Sequence, residues 1–210
     1  MKISKRVSGV LAGVLIAIGG AMGAAMAAPQ VGKAAPLFSG TTSTGQTIEL
    51  SQFAGKKVVL EWTNHECPYV QKHYDSGNMQ ALQKKNTASD TVWISVISSA
   101  PGNQGHVSAD RANALSTDRK AAPTHILLDE SGAVGRLYKA EATPHMFVID
   151  GDQTLRYAGA IDSIRSSDQA DVARADNYVA KALQSLRSGK PIVTPQTRPY
   201  GCTVKYGPQS

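Results

Sequence analysis

The sequence predicts an α/β fold: a three-layer sandwich around a mixed central sheet, with an N-terminal hairpin. Short apolar runs of strand length alternate with amphipathic helical patterns, which is typical of parallel strands joined by helices. Two further strand-like runs flank Gly151-Asp152, a turn signal that adds an antiparallel hairpin to the sheet. A Thr-rich segment over 41–50, centred on Ser43-Thr44-Gly45-Gln46, predicts the hairpin at the start of the domain.

Residues 1–27 have the pattern of a signal peptide. A basic start is followed by an apolar stretch over 10–22 and by Ala25-Met26-Ala27, a small-x-small cleavage signal. The apolar stretch is rich in glycine, which favours cleavage over retention as a membrane anchor. We therefore expect a protein that is exported to the periplasm and has no membrane contact after cleavage.

The charge balance does not indicate a nucleic-acid partner. The chain has 22 Lys+Arg and 16 Asp+Glu, for a net charge of +6. Residues 1–27 contain Lys2, Lys5 and Arg6 and no acidic side chain, so the mature chain carries 19 minus 16, or +3. Its Lys and Arg residues are scattered singly or in pairs rather than clustered into a stripe, so we expect no nucleic-acid surface.

The mature chain divides into three predicted parts. Residues 28–39 are rich in Pro and Ala and are interpreted as a tether. Residues 40–190 contain the strand and helix pattern, and residues 191–210 form a tail without periodicity that carries Cys202. A mature chain of this length corresponds to one ordinary domain.

The elements of the predicted domain follow one another along the chain. Strands are predicted at 58–62, 92–97, 125–129, 146–150 and 155–159. Helices are predicted after Pro68 in two pieces broken at Ser76-Gly77-Asn78, from the N-cap Ser108 to Arg119, over 133–138, and as one long amphipathic helix from Gln169 to Arg187.

Cys67 is the residue with the clearest chemical potential. It lies between a buried-strand pattern ending near Trp62 and a helix that begins at Pro68. Proline is favoured at the first helical position, so Cys67 is predicted at or next to the N-cap. The positive end of the helix dipole stabilises a thiolate relative to a thiol, and we therefore expect a reactive cysteine. A small buried cysteine at a turn is the simpler alternative.

Three segments carry a resemblance to a known family: Trp62-Thr63-Asn64-His65-Glu66-Cys67-Pro68-Tyr69-Val70, Ala142-Thr143-Pro144-His145 and Tyr200-Gly201-Cys202. With them the chain resembles a bacterial exported group in the redoxin branch of the thioredoxin-like superfamily. That branch is related to alkyl hydroperoxide reductases, thiol-specific antioxidant proteins and secreted thiol-disulfide oxidoreductases. The resemblance extends over about residues 30–206 and implies the thioredoxin-like fold, with Thr143-Pro144 as a cis-proline turn that faces Cys67.

The resemblance also implies an activity. It is that of a thiol oxidoreductase, either a peroxidase-like antioxidant or a thiol-disulfide exchanger, with Cys67 as the nucleophile. The substrate would be a peroxide or a protein or small-molecule disulfide, a thiol reductant of unknown identity would recycle the protein, and no cofactor is expected. His65, Asn64 and Pro68 beside the cysteine, with Thr143 and Pro144, are the expected supporting residues.

The chain departs from the motifs of both enzyme classes. Dithiol exchangers of this superfamily carry Cys-x-x-Cys, whereas Val70 occupies the fourth position here. A relative with an earlier cysteine would place it near Thr63, where there is none. Peroxiredoxins carry Pro-x-x-x-Thr-x-x-Cys, and this chain has Leu60 and Asn64 in place of the proline and the threonine. Asn64 could position a substrate oxygen or simply end the strand.

Cys202 is the second of two cysteines and has three possible roles. It could resolve an oxidised Cys67 by closing an internal disulfide from a mobile tail. It could instead form a permanent bridge over residues 68–201, which would contribute on the order of 4–5 kcal/mol by chain entropy. It could also remain unpaired, although an oxidising compartment favours a bridge.

A metal-binding alternative rests on the histidines. His65, His73 and His145, with Cys67 and Met146, offer nitrogen and sulfur ligands that suit copper. Copper sites of this kind use a close cysteine pair, which the sequence lacks, so His65, Cys67 and His145 are only weak candidates. The alternative function is accordingly a non-catalytic or copper-binding module with a structural Cys67–Cys202 disulfide.

Overall fold

The computed structural model describes residues 29–208, and the predicted signal peptide lies outside them. The strands are β1 (Ser39–Thr41), β2 (Thr47–Glu49), β3 (Lys57–Trp62), β4 (Thr91–Ile97), β5 (His125–Leu128), β6 (Ala142–Thr143), β7 (His145–Ile149), β8 (Leu155–Gly159) and β9 (Cys202–Thr203). The helices are α1 (Pro68–Asp75), α2 (Asn78–Thr87), α3 (Ala109–Asp118), α4 (Ala133–Leu137) and α5 (Tyr178–Arg187).

The central sheet has five strands in the order β5-β4-β3-β7-β8. Strands β3, β4 and β5 are parallel. Strand β7 runs antiparallel to β3, and β8 runs antiparallel to β7 as the second strand of the late hairpin, so β8 has the same direction as β3. Strands β1 and β2 form the N-terminal hairpin. The predicted mixed α/β fold with a hairpin at each end is thus confirmed.

Each face of the sheet has its own core, because side chains alternate along the strands. Strand β3 places Leu60 and Trp62 on the face covered by α4 and the N-terminal hairpin. Val59 points to the other face, which is covered by α1, α2 and α5. This second core contains Cys67, so the candidate nucleophile belongs to the packed interior between α1 and the sheet.

The prediction of one long helix from Gln169 to Arg187 is wrong. Residues 169–171 form a single 3-10 turn, and α5 begins only at Tyr178. Asn177 caps α5 through its side-chain oxygen, which accepts from the Ala180 amide. The backbone between the 3-10 turn and α5 pairs with another segment instead of continuing the helix, since the Asp176 carbonyl accepts from the Ser163 amide. The amphipathic pattern alone did not reveal this competing pairing.

The predicted tether and the predicted tail are more ordered than their composition predicts. In the predicted tether, the Ala35 amide donates to the Gln153 carbonyl at 2.8 Å and Phe38 is buried. In the predicted mobile tail, the Thr197 amide donates to the Ala158 carbonyl at 3.0 Å. These segments lack periodicity because they add to existing strand edges instead of forming elements of their own. Within residues 29–208, no helix has the length and apolarity needed to cross a membrane.

Candidate active site

Cys67 is the N-cap residue of α1, with Pro68 at the first helical position. The N-cap position predicted for Cys67 from the proline that follows it is thus confirmed. The Cys67 carbonyl accepts from the Val70 and Gln71 amides, both at 2.9 Å, and thereby starts the helix. The side chain is fully buried. A substrate sulfur or oxygen can therefore reach the Cys67 sulfur only after the residues that cover this sulfur have moved.

The Thr143-Pro144 turn faces Cys67, and its peptide bond is cis. The Cys67 thiol donates to the Thr143 carbonyl across a distance of 3.1 Å. Thr143 is itself buried, and its hydroxyl donates to the Cys202 carbonyl at 3.4 Å. The turn that the family resemblance implies therefore connects the two cysteines.

Cys202 lies beside Cys67 although most of the domain separates them in sequence. Strand β9 pairs antiparallel with β6, which places Cys202 opposite Thr143. Both cysteines are free thiols, and the Cys202 side chain is half-buried against the core that contains Cys67. Burial, followed by the hydrogen bond and the charge of Cys67, raises the pKa of Cys202 to about 12. Both cysteines therefore lie at Thr143, Cys202 through strand pairing and Cys67 through its thiol.

Residues 200–206, here called the strap, hold Cys202 over the site. Tyr206 anchors the C-terminal end, because its hydroxyl donates to the Ala140 carbonyl at 2.7 Å and its ring lies under the guanidinium of Arg136. Tyr200 anchors the other end and is buried against Tyr69 of α1. The strap is thus fixed on both sides of Cys202.

Gly201 lets the strap approach the turn, and its replacement is a test of this cover. Its φ is 140°, and a Cβ atom there would lie 2.0 Å from the Thr143 carbonyl oxygen. We expect Gly201→Ala to lift the strap, to lower the free energy of unfolding by about 2 kcal/mol, and to make Cys67 react roughly tenfold faster with an alkylating reagent. Alkylation followed by mass spectrometry measures this rate.

Gly102→Ala is the matched control for Gly201→Ala. Gly102 also has a positive φ, 83°, but a Cβ atom there would meet nothing within 4 Å. This substitution is expected to strain the backbone locally and to leave the alkylation rate of Cys67 unchanged. Equal rates in the two variants would mean that the strap does not cover Cys67.

Asn64 supports the loop before Cys67 through hydrogen bonds to backbone groups. Its Oδ1 atom accepts from the Glu66 amide at 2.9 Å, and its Nδ2 atom donates to the Gln104 carbonyl. Its side chain also fills the space left by the missing side chain of Gly105. Beside the two roles predicted for Asn64, positioning a substrate oxygen and ending the strand, the geometry shows a third, in which its side chain holds the loop.

The histidines are dispersed around the site. Arg119 donates to the backbone carbonyl of His65 at 2.8 Å, and burial lowers the pKa of the His65 imidazole. Burial lowers the pKa of His145 to about 3, and its ring stacks on Phe147 with centroids 4.4 Å apart. His73 lies on the buried side of α1. No group of three or more His, Cys, Asp or Glu side chains within residues 29–208 is arranged to hold a metal ion.

Sequence reasoning missed a buried carboxylate behind the site. Glu61 of β3 is fully buried and accepts from Tyr74, Gln83, Trp93 and Ser95. Burial raises its pKa, and the four hydrogen bonds oppose that shift. The sequence does indicate this site, because Glu61 is a single charged residue inside the apolar run 58–62, and a charge in a buried strand requires hydrogen-bond partners.

Comparison with known structures confirms the fold at low sequence identity. A hypothetical protein from Sinorhizobium meliloti superposes with a TM-score of 0.72 at 20% identity, covering 87% of this chain and 98% of the other. An uncharacterized conserved protein from Geobacillus kaustophilus gives 0.74 at 21% identity, with 86% and 94% covered. A protein from Bacteroides thetaiotaomicron, provisionally named a protein disulfide isomerase, gives 0.54 at 16%, with 75% and 90% covered.

No curated protein sequence matches the chain. The family model described as Redoxin matches residues 30–178, which include Cys67 and the Thr143-Pro144 turn but not Cys202. The match covers well over half of the chain and confirms the redoxin resemblance. The chain belongs to the Redoxin family.

Proposed function

We propose that the protein is an exported thiol-disulfide oxidoreductase whose redox couple is the dithiol and disulfide of Cys67 and Cys202. The observation that carries this proposal is the pairing of β9 with β6, which puts Cys202 opposite Thr143 while the Thr143 carbonyl accepts the Cys67 thiol. Cys202 thus supplies the second sulfur that Val70 cannot supply within the helix. The partners we propose are a protein or small-molecule disulfide and an external thiol reductant.

The reaction is a two-step exchange. The Cys67 thiolate attacks one sulfur of a substrate disulfide, forms a mixed disulfide with it, and releases the other sulfur as a thiolate. Cys202, once deprotonated, then attacks the Cys67 sulfur and releases the second substrate sulfur. The two cysteine protons end on the two released thiols, so the substrate is reduced and the protein is oxidised. An external dithiol reverses both steps and regenerates the protein.

The electrostatics of the pair support this order of events. The hydrogen bond and the charge of Cys67 both contribute to the raised pKa of Cys202, after the larger effect of burial. Both contributions disappear when Cys67 is bound in a mixed disulfide. Cys202 then becomes easier to deprotonate at the step that requires it, while Lys205 also favours its thiolate.

The surroundings of Cys67 favour disulfide exchange over peroxide reduction. At the position where peroxiredoxins carry threonine, the two polar atoms of Asn64 are occupied by the Glu66 amide and the Gln104 carbonyl. Leu60, at the proline position, lies in the core on the opposite face of the sheet. Leu60 has no polar side-chain atom, and the Asn64 amide is engaged with the loop around the site, so neither residue takes the place of its counterpart in the peroxiredoxin motif.

A trapping experiment tests the proposal. The reduced protein is mixed with oxidised glutathione, or separately with hydrogen peroxide, and intact masses are followed over time. We expect the wild type to lose two hydrogens, and Cys202→Ser to retain one glutathione on Cys67. Cys67→Ser is expected to react with neither oxidant. Thr203→Ser, a change at the neighbouring exposed position, is the control and is expected to behave as the wild type.

The outcomes separate the candidate functions. A faster reaction with hydrogen peroxide than with oxidised glutathione would identify a peroxidase instead of a thiol-disulfide exchange protein. If the purified protein already contains a Cys67–Cys202 disulfide that mild reductants do not break, the disulfide is structural. Failure of Cys202→Ser to trap glutathione on Cys67 would contradict the proposed nucleophile.

A further inference from the structure

A buried polar cluster surrounds the hydroxyl of Tyr200, two residues before Cys202. It consists of Lys72 and His73 on α1, Asp162 in the loop after β8, and Tyr200 itself. The side chain of Lys72 is 0% exposed and that of Asp162 is 2% exposed. These residues take no part in the exchange chemistry described above, and burying charges in this way is unfavourable unless each is paired.

The Tyr200 hydroxyl uses its full hydrogen-bonding capacity in this cluster. It donates to Oδ1 of Asp162. It accepts from Nζ of Lys72 at 3.4 Å and contacts Nε2 of His73 at 3.4 Å. A hydroxyl has one donor and two acceptor positions, so all three are occupied.

The remaining contacts fix the cluster to the rigid part of the fold. Asn78 donates to Nδ1 of His73 at 2.9 Å, which leaves Nε2 as the donor that faces Tyr200. Nζ of Lys72 also donates to the Ile164 carbonyl at 3.0 Å and lies 3.4 Å from Oδ2 of Asp162. Because Lys72 and His73 are on α1, the cluster connects the strap to the helix that begins at Cys67.

We propose that Tyr200 is the positioning residue for Cys202: its hydroxyl, held by Lys72, His73 and Asp162, keeps the strap in the register that brings the two sulfurs together. This inference rests on the proposed function. The stability of an internal disulfide relative to glutathione measures the effective concentration of its two thiols. An anchor two residues from Cys202 raises that concentration because it restricts the volume that the sulfur explores.

The test is the equilibrium between the Cys67–Cys202 dithiol and disulfide in glutathione buffers of graded composition, measured on quenched samples by mass spectrometry. Tyr200→Phe keeps the ring against Tyr69 and removes only the hydroxyl. We expect the equilibrium constant for disulfide formation to fall at least about tenfold, since hydrogen bonds to charged partners are lost. His73→Leu removes one partner of the hydroxyl and is expected to cause a smaller shift in the same direction.

Tyr138→Phe is the matched control. The Tyr138 hydroxyl donates to the Pro36 carbonyl at 2.7 Å, outside the polar cluster that holds Tyr200. It is expected to lower the melting temperature without changing the disulfide equilibrium, which separates general destabilisation from positioning. An unchanged equilibrium in both Tyr200→Phe and His73→Leu would overturn the positioning role while leaving the proposed function intact. A wild type that forms no disulfide would overturn both.

Discussion

Replacing Asp162 with alanine is expected to lower the free energy of unfolding by about 3–5 kcal/mol. The substitution leaves the Lys72 ammonium buried without its carboxylate partner, because both side chains are almost completely removed from solvent. It also removes the acceptor of the Tyr200 hydroxyl. Chemical denaturation followed by circular dichroism measures the change.

The same substitution at a surface pair provides the control. Asp176 lies 2.7 Å from Lys181, and their side chains are 66% and 60% exposed. Asp176→Ala is therefore expected to change the unfolding free energy by about 1 kcal/mol or less. Adding Lys72→Met to Asp162→Ala removes the orphaned charge and is expected to restore part of the lost stability. Equal effects of Asp162→Ala and Asp176→Ala would show that the buried pair is not coupled.

Replacing Glu61 with leucine is expected to destabilise the domain by about 4 kcal/mol or more, at roughly 1 kcal/mol or more for each buried donor left without an acceptor. The donors that lose their acceptor are Tyr74, Gln83, Trp93 and Ser95. Since Tyr74 is on α1, the change is also expected to loosen the helix that holds Cys67. Denaturant unfolding gives the first effect, and the alkylation rate of Cys67 gives the second.

The control for Glu61→Leu is Glu49→Leu in the N-terminal hairpin. Glu49 is exposed, and its carboxylate accepts from the Ser51 hydroxyl at 3.3 Å. Its replacement is expected to change the unfolding free energy by no more than about 0.5 kcal/mol. If Glu61→Leu were equally mild, the four buried hydrogen bonds would not be a significant part of the stability of the second core.

The local parts of the fold could be predicted because their signals are local. An apolar run of strand length predicts β3, and Gly151-Asp152 predicts the hairpin of β7 and β8. Pro68 places Cys67 at the N-cap of α1 because proline at the first helical position needs no hydrogen bond for its missing N–H. In each case the decisive interaction lies within a few residues along the chain.

The parts that could not be predicted depend on contacts that are distant in sequence. The proximity of Cys202 and Cys67 results from the pairing of β9 with β6, and a two-residue strand has no periodicity to recognise. The late start of α5 depends on backbone pairing with the loop at Ser163. The cluster around Tyr200 likewise joins three separate segments.

The most direct test of the central claim is disulfide mapping of the oxidised protein. The reduced protein is incubated with oxidised glutathione, blocked, and digested without reductant, and the linked peptides are identified by mass spectrometry. We expect one peptide pair that joins Cys67 to Cys202 within a single chain and disappears on treatment with dithiothreitol. Separate glutathione adducts on the two cysteines, disulfides between chains, or two thiols that remain free would contradict it.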